Sequence, residues 1–142
     1  EIRRNLMRRF SNPGNEFIEI EFDDSDLHLD TSARSVSLAY VHWPKRGLTE
    51  QALRDYRTVI RRIAEQAQKS LSKGAFFVLE VKDFRAGETF YPTGLLLHED
   101  MMAQQGFTIK EIVIVVPEDV QGSDSTEHLE IIHRYLLIYE CK

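Results

Sequence analysis

Ala75-Phe76-Phe77-Val78-Leu79-Glu80-Val81 is a near-continuous apolar run. A strand that alternated apolar and polar residues would have one wet face. A run like this one marks a strand covered on both faces, as in a parallel sheet. The residues before it read as a long helix. Thr49 is its N-cap, and Glu50 and Asp55 lie near the positive end of the helix dipole. Leu53, Tyr56, Ile60, Ile63, Ala67 and Leu71 recur at helical spacing and define a core-facing stripe. Lys73-Gly74 is expected to end this helix.

Further out, residues 35–41 form an earlier strand, SVSLAYV. Residues 17–22 alternate, with Ile18, Ile20 and Phe22 on one face and Glu19 and Glu21 on the other. Residues 1–10 suit the end of a helix, closed by the turn Asn12-Pro13-Gly14. After 75–82 comes a loop, then a helix from Thr93, as cap, through Gln104, with Gly106 as its stop. Residues 109–116 and 131–140 read as strands, and the polar stretch 117–127 between them as a loop. Strands that alternate with helices imply right-handed crossovers and a mainly parallel α/β sheet covered on both faces. The last two strands lack a helix between them, which favours an antiparallel pair at one edge.

The 142 residues, 42% hydrophobic and 29% charged, suit one folded domain. No apolar run reaches the ~20 residues that span a bilayer, and no signal peptide is evident. The single cysteine, Cys141, cannot close an internal disulfide. An intracellular setting is therefore expected, cytoplasmic or nucleoid/nuclear. The net charge of -5 argues against strong stand-alone nucleic-acid binding. Basic residues do cluster, at Arg3, Arg4, Arg8 and Arg9 and again from Lys45 to Arg62. The five histidines are not closely paired, so no metal site is expected. There is no P-loop, no Ser-His-Asp signature and no dinucleotide fingerprint.

Several short motifs occur in a telling order. Ser35-Val36-Ser37-Leu38 runs into His42-Trp43-Pro44. A long helix and Lys73-Gly74 follow, then Phe77-Val78-Leu79-Glu80-Val81-Lys82-Asp83-Phe84-Arg85. Tyr91-Pro92, Gln105-Gly106-Phe107 and the stretch from His133 to Tyr139 come last. Over residues 17–142 this resembles the S-adenosylmethionine-dependent DNA methylases that act on the N6 of adenine or the N4 of cytosine. The resemblance implies the carboxyl-terminal half of a Rossmann-like class I methyltransferase sheet. It also implies S-adenosylmethionine as cofactor and a nucleic acid, DNA before RNA, as partner.

The resemblance places the altered catalytic motif at His42, Trp43 and Pro44. In that family the strand runs into Asp/Asn/Ser-Pro-Pro-aromatic; here only Pro44 matches, and Lys45 stands at the aromatic position. The polar side chain and a proline carbonyl accept hydrogen bonds from the target amino group, and the aromatic stacks on the extruded base. His42 can accept one such bond through a neutral ring nitrogen. Trp43 offers a π-face from the neighbouring position. Asp23, Asp24 and Asp26 fall where the family contacts the adenine region of its cofactor; a solvated acidic turn is the competing reading. Lys45, Asp83 and Arg85 are the expected substrate contacts, with a local Asp83–Arg85 surface pair as the alternative.

The seven glycines stand at 14, 47, 74, 87, 94, 106 and 122, and none forms the Gly-x-Gly turn on which this fold holds its cofactor. On the resemblance, residues 17–22 are the third strand of the fold. The first chain residue is Glu1 rather than Met, so a fragment is expected whose cofactor loop lies upstream or on a partner protein. A non-catalytic methyltransferase-like module that binds a protein or nucleic acid is the alternative.

Overall fold

The computed structural model describes residues 1–11, 14, 16–21, 36–44, 48–117, 131 and 133–142. Phe22, Asp23, Asp24, Asp26, Ser35, Lys45 and the stretch 118–130 therefore lie outside the described residues. The elements are α1 (Ile2–Phe10), β1 (Glu16–Ile20), β2 (Val36–Val41), α2 (Glu50–Ser70) and β3 (Leu71–Val81). A hairpin of β4 (Phe84–Ala86) and β5 (Thr89–Tyr91) follows, then α3 (Thr93–Met102), β6 (Phe107–Val115) and β7 (Arg134–Cys141).

The fold is α/β with a mixed five-stranded sheet in the order β1-β2-β3-β7-β6. β1 pairs parallel to β2, and β2 parallel to β3. β7 is antiparallel to both β3 and β6, so β1, β2, β3 and β6 share one direction. One face carries α2 and α3. There Tyr56, Ile60, Ile63, Leu97 and Met101 pack on Ile20, Val41, Phe77, Leu79, Leu137 and Tyr139. On the other face Leu6 of α1 packs on Leu38, Tyr40, Val78, Leu136 and Ile138. Each fully buried side chain of this kind contributes roughly 1.5–3 kcal/mol.

Several boundaries differ from the sequence expectations. Thr49 caps α2 as expected, its hydroxyl accepting from the Ala52 amide at 3.1 Å. The helix ends at Ser70 rather than at Lys73-Gly74, because Leu71 already adopts extended backbone (φ -72, ψ 134). Gly74 lies inside β3 with φ +78, at an irregularity where the β2–β3 register shifts. That left-handed geometry requires glycine, but it belongs to a strand and not to a helix stop. Thr93 is not the cap of α3: Pro92 holds that position, and the buried Thr93 hydroxyl donates to the Tyr91 carbonyl instead. The segment read as a loop after β3 contains the β4–β5 hairpin, whose strands of three residues are too short to show a period.

The third-strand assignment of residues 17–22 also fails on position. In a doubly wound sheet of order 3-2-1-4-5-6, two strands separate the third from the fourth. Here β1 is hydrogen-bonded directly to β2, from Phe17↔Leu38 to Ile20↔Val41. β1 thus occupies the slot of the first strand.

Candidate site at the carboxyl edge of the parallel strands

Parallel strands bring their carboxyl ends to one edge, where open α/β sheets bind ligands. β1, β2 and β3 end there at Ile20, Val41 and Val81. The His42 amide donates to the Ile20 carbonyl at 3.0 Å and extends the ladder by one residue. Pro44, two residues further on, is buried.

The side chains of His42 and Trp43 go to opposite faces. The His42 ring lies 4.3 Å from that of Tyr40, on the α1 side. Its Nε2 is 3.3 Å from Glu19 Oε2 and 3.9 Å from Glu21 Oε1, and its Nδ1 is 3.9 Å from Glu80 Oε2. In the tautomer that donates Nε2–H to Glu19, Nδ1 keeps the lone pair and is the acceptor. Glu80 is buried, hydrogen-bonded by the Tyr40 hydroxyl and paired with Arg134. Burial, and then the Glu80 carboxylate, push the Tyr40 hydroxyl well above its ordinary pKa, so it remains a proton donor. Trp43 instead turns toward α2 and packs edge-on against Tyr56, with ring centroids 5.4 Å apart. It is a half-buried member of the core.

Asp83 and Arg85 also separate. Asp83 is buried and accepts the Gly94 amide at 2.9 Å, which fixes the start of α3. Tyr135 leans on the same carboxylate; burial first, then Asp83, raises its pKa. The Tyr135 hydroxyl is 2.7 Å from His133 Nε2. Arg85 lies on the β4–β5 ribbon, its guanidinium 5.3 Å from the centroid of the Phe90 ring. The two residues form no ion pair among the described residues.

The basic face of α2 is largely engaged. Arg57 makes a two-pronged contact to Asp100 at 2.6 and 2.9 Å, and Arg61 reaches the same carboxylate at 2.8 Å. Arg54 pairs with Glu50 one turn earlier. Sequence reading missed Glu19, Tyr40, Glu80, Arg134 and Tyr135. Glu80 carried a signal, since a lone carboxylate inside an apolar strand needs partners.

A bound S-adenosylmethionine needs close backbone approach, and so glycine, at the carboxyl edge. Two described glycines follow the carboxyl end of β3: Gly87, which makes the turn of the β4–β5 hairpin at φ +61, and Gly94, at the start of α3. A Cβ at Gly94 would lie 3.3 Å from the Tyr135 ring and 3.7 Å from Asp83, and the Gly94 amide is already bonded to Asp83. That close approach is filled by the protein's own side chains. Gly74 stands in the first half of β3, away from the edge. The described residues therefore do not fit the cofactor by themselves, and no chemical step is assigned to it. Among them no group of three His, Cys, Asp or Glu side chains is placed to hold a metal ion. No described helix is long and apolar enough to cross a membrane.

The architecture has known counterparts. It is similar to a provisionally assigned DNA modification methylase of Thermus thermophilus, in three crystal structures. The selenomethionine derivative of that protein aligns over 89% of this chain and 52% of that one, at 14% identity and a TM-score of 0.59. Its complex with S-adenosyl-L-methionine aligns over 88% and 55%, at 13% identity and 0.59. A third structure of it aligns over 96% and 50%, at 13% identity and 0.53. This chain has a methyltransferase-like fold and spans about half the length of those structures. No family model and no curated protein matches the sequence.

Proposed function

We propose that this chain is part of an S-adenosylmethionine-dependent nucleic-acid amino-methyltransferase-like domain, altered at its target-binding motif and inactive alone. The observation that carries this reading is the place of His42-Trp43-Pro44. The tripeptide leaves β2 at the carboxyl edge, between two parallel neighbours, in a fold similar to that of a DNA modification methylase. In this reading His42 is the acceptor for the target group, and Glu19 holds its ring in place. Trp43 supports the site from beneath as packing. Asp83 acts by positioning α3, and the cofactor cradle, with any part played by Asp23, Asp24 and Asp26, is completed by further residues of the same protein or by a partner. One observation favours the second reading, a non-catalytic module for a protein or nucleic acid: Trp43 is turned into the core and not toward a base.

Isothermal titration of S-adenosylmethionine into residues 1–142 tests the proposal. Binding weaker than about 1 mM, or ~4 kcal/mol, is expected. Micromolar binding would show that this chain already holds a complete cofactor site. The same titration on a longer chain of this protein separates the two readings, since further residues complete the cofactor site and restore affinity only in the enzyme.

A further inference from the structure

β6 is an outer strand of the sheet, and among the described residues it pairs only with β7. An unpaired edge offers free N–H and C=O groups, and proteins usually blunt it with charges, proline or a bulge. Here that protection is confined to one end. The register irregularity lies between Ile109 and Glu111. Lys110 pairs with Glu140 at 3.5 Å, and Glu111 with Arg9 at 2.8 Å. From Ile112 to Val116 there is no charge. Ile112, Ile114 and Val116 are 55%, 61% and 56% exposed on one face. Val113 and Val115 are half-buried on the other.

α3 borders the same strip. On one flank its Asp100 is held by Arg57 and Arg61 of α2, while Leu97 and Met101 point into the core. The opposite flank carries His98, which reaches the Tyr139 hydroxyl at 3.1 Å, with Leu95 and Met102 exposed at either end. Tyr139 pairs with Ile109, so this flank faces β6. Five of the six exposed large apolar side chains among the described residues lie on this border. Contiguous exposure of that kind marks an interaction surface.

We infer that this border is a two-fold interface between two copies of this chain, formed by antiparallel pairing of β6 with β6 of the second copy. The strand is its own complement about Ile114. A two-fold axis there sets Ile114 opposite Ile114 of the second copy, Ile112 opposite Val116, and Val113 opposite Val115. Every pair is apolar, and each side chain stays on its own face of the sheet. Pro117, with no N–H to give, falls opposite Glu111 and stops the ladder. The same axis sets the two α3 flanks antiparallel, which brings Leu95 and Met102 of both copies over the joined strands. A closed two-fold contact uses one patch twice, as this self-matching register requires.

Sedimentation equilibrium over roughly 1–200 µM should show a monomer–dimer equilibrium with a micromolar dissociation constant. Ile114→Lys places two like charges across the axis and should raise that constant at least ten-fold. Its far-UV circular dichroism should be unchanged, and its melting should match that of the unsubstituted chain at concentrations where both are monomeric, because Ile114 is exposed. Ile114→Cys should cross-link to a covalent dimer on oxidation, since opposed antiparallel Cα atoms lie about 4.5–5.5 Å apart, within disulfide reach. Thr108→Cys, six residues from the axis, should not. A monomer at the highest concentration overturns the proposal, as does a dimer that Ile114→Lys leaves intact or one that cross-links through 108 and not 114.

Discussion

His42 and Trp43 leave β2 on opposite faces of the sheet, so two residues adjacent in sequence have unrelated surroundings. His42 sits among Glu19, Glu21 and Glu80, and Trp43 sits on Tyr56. Base stacking by Trp43 needs a ring free to meet a base, whereas this ring is half-buried against the α2 side of the core. Trp43→Ala should therefore act on stability. Full burial of a Trp is worth about 3–5 kcal/mol on truncation, so this half-buried one should cost roughly 2–3. Urea unfolding should show the loss as a lower midpoint, with nucleic-acid affinity per folded molecule unchanged. A drop of about 5- to 150-fold in affinity at constant fold would instead restore the stacking role. Strand alternation was legible in SVSLAYVHW and already implied that His42 and Trp43 diverge. Their partners were not legible, because Glu19, Tyr56, Glu80 and Arg134 reach them only through strand pairing and helix packing. Asp23, Asp24, Asp26 and Lys45 lie outside the described residues.

Long elements with a strong period were readable: the stripe from Leu53 to Ala67 and the run from Ala75 to Val81 both stand where the sequence put them. Their junction was not, because a strand can begin directly after a helix without a glycine stop, and Gly74 serves a strand irregularity. The contact between α2 and α3 was also hidden, although its residues were visible as a basic helix face. Burial alone would raise the Asp100 pKa. The hydrogen bonds and charges of Arg57 and Arg61 outweigh it and hold the carboxyl below its ordinary value. Because the folded pKa is depressed, the unfolded chain binds more protons at acid pH. The stabilisation is therefore present above the unfolded value, near 3.9, and is lost as pH falls through the folded value. Asp100→Asn should cost about 1–3 kcal/mol at neutral pH. Thermal melts of the two proteins should then converge below pH ~4. A difference that stays constant with pH would mean that packing, and not charge, links the helices.

For the whole molecule, the mixed sheet sets one face under α2 and α3 and the other under α1, with a cleft of about 800 Å³ beside α1 lined by Leu6, Phe10, Val113, Val115 and Ile138. Glu1, Asn5, Arg8 and Arg9 line it as well, and its residues Val113 to Val116 lie at the carboxyl end of β6. Charge decides how such a module meets nucleic acid. The net charge is -5, and Arg3, Arg9, Arg54, Arg57, Arg61 and Arg134 each hold a carboxylate. Of the basic residues of α2, Arg62 and Lys69 make no ion pair among the described residues, so that helix offers about two phosphate contacts. Each contact on a duplex adds about 0.9 to the slope of log K against log salt. Fluorescence anisotropy of a labelled duplex between ~50 and ~200 mM salt should therefore give a slope no steeper than about -2, and affinity near or weaker than ~10⁻⁴ M. If Lys45 is one of the contacts, Lys45→Ala should flatten the slope by about 0.9. A slope beyond about -4 would require several of these ion pairs to open onto the duplex. The arginines would then be a preformed phosphate surface, and the chain alone would grip nucleic acid despite its acidic balance.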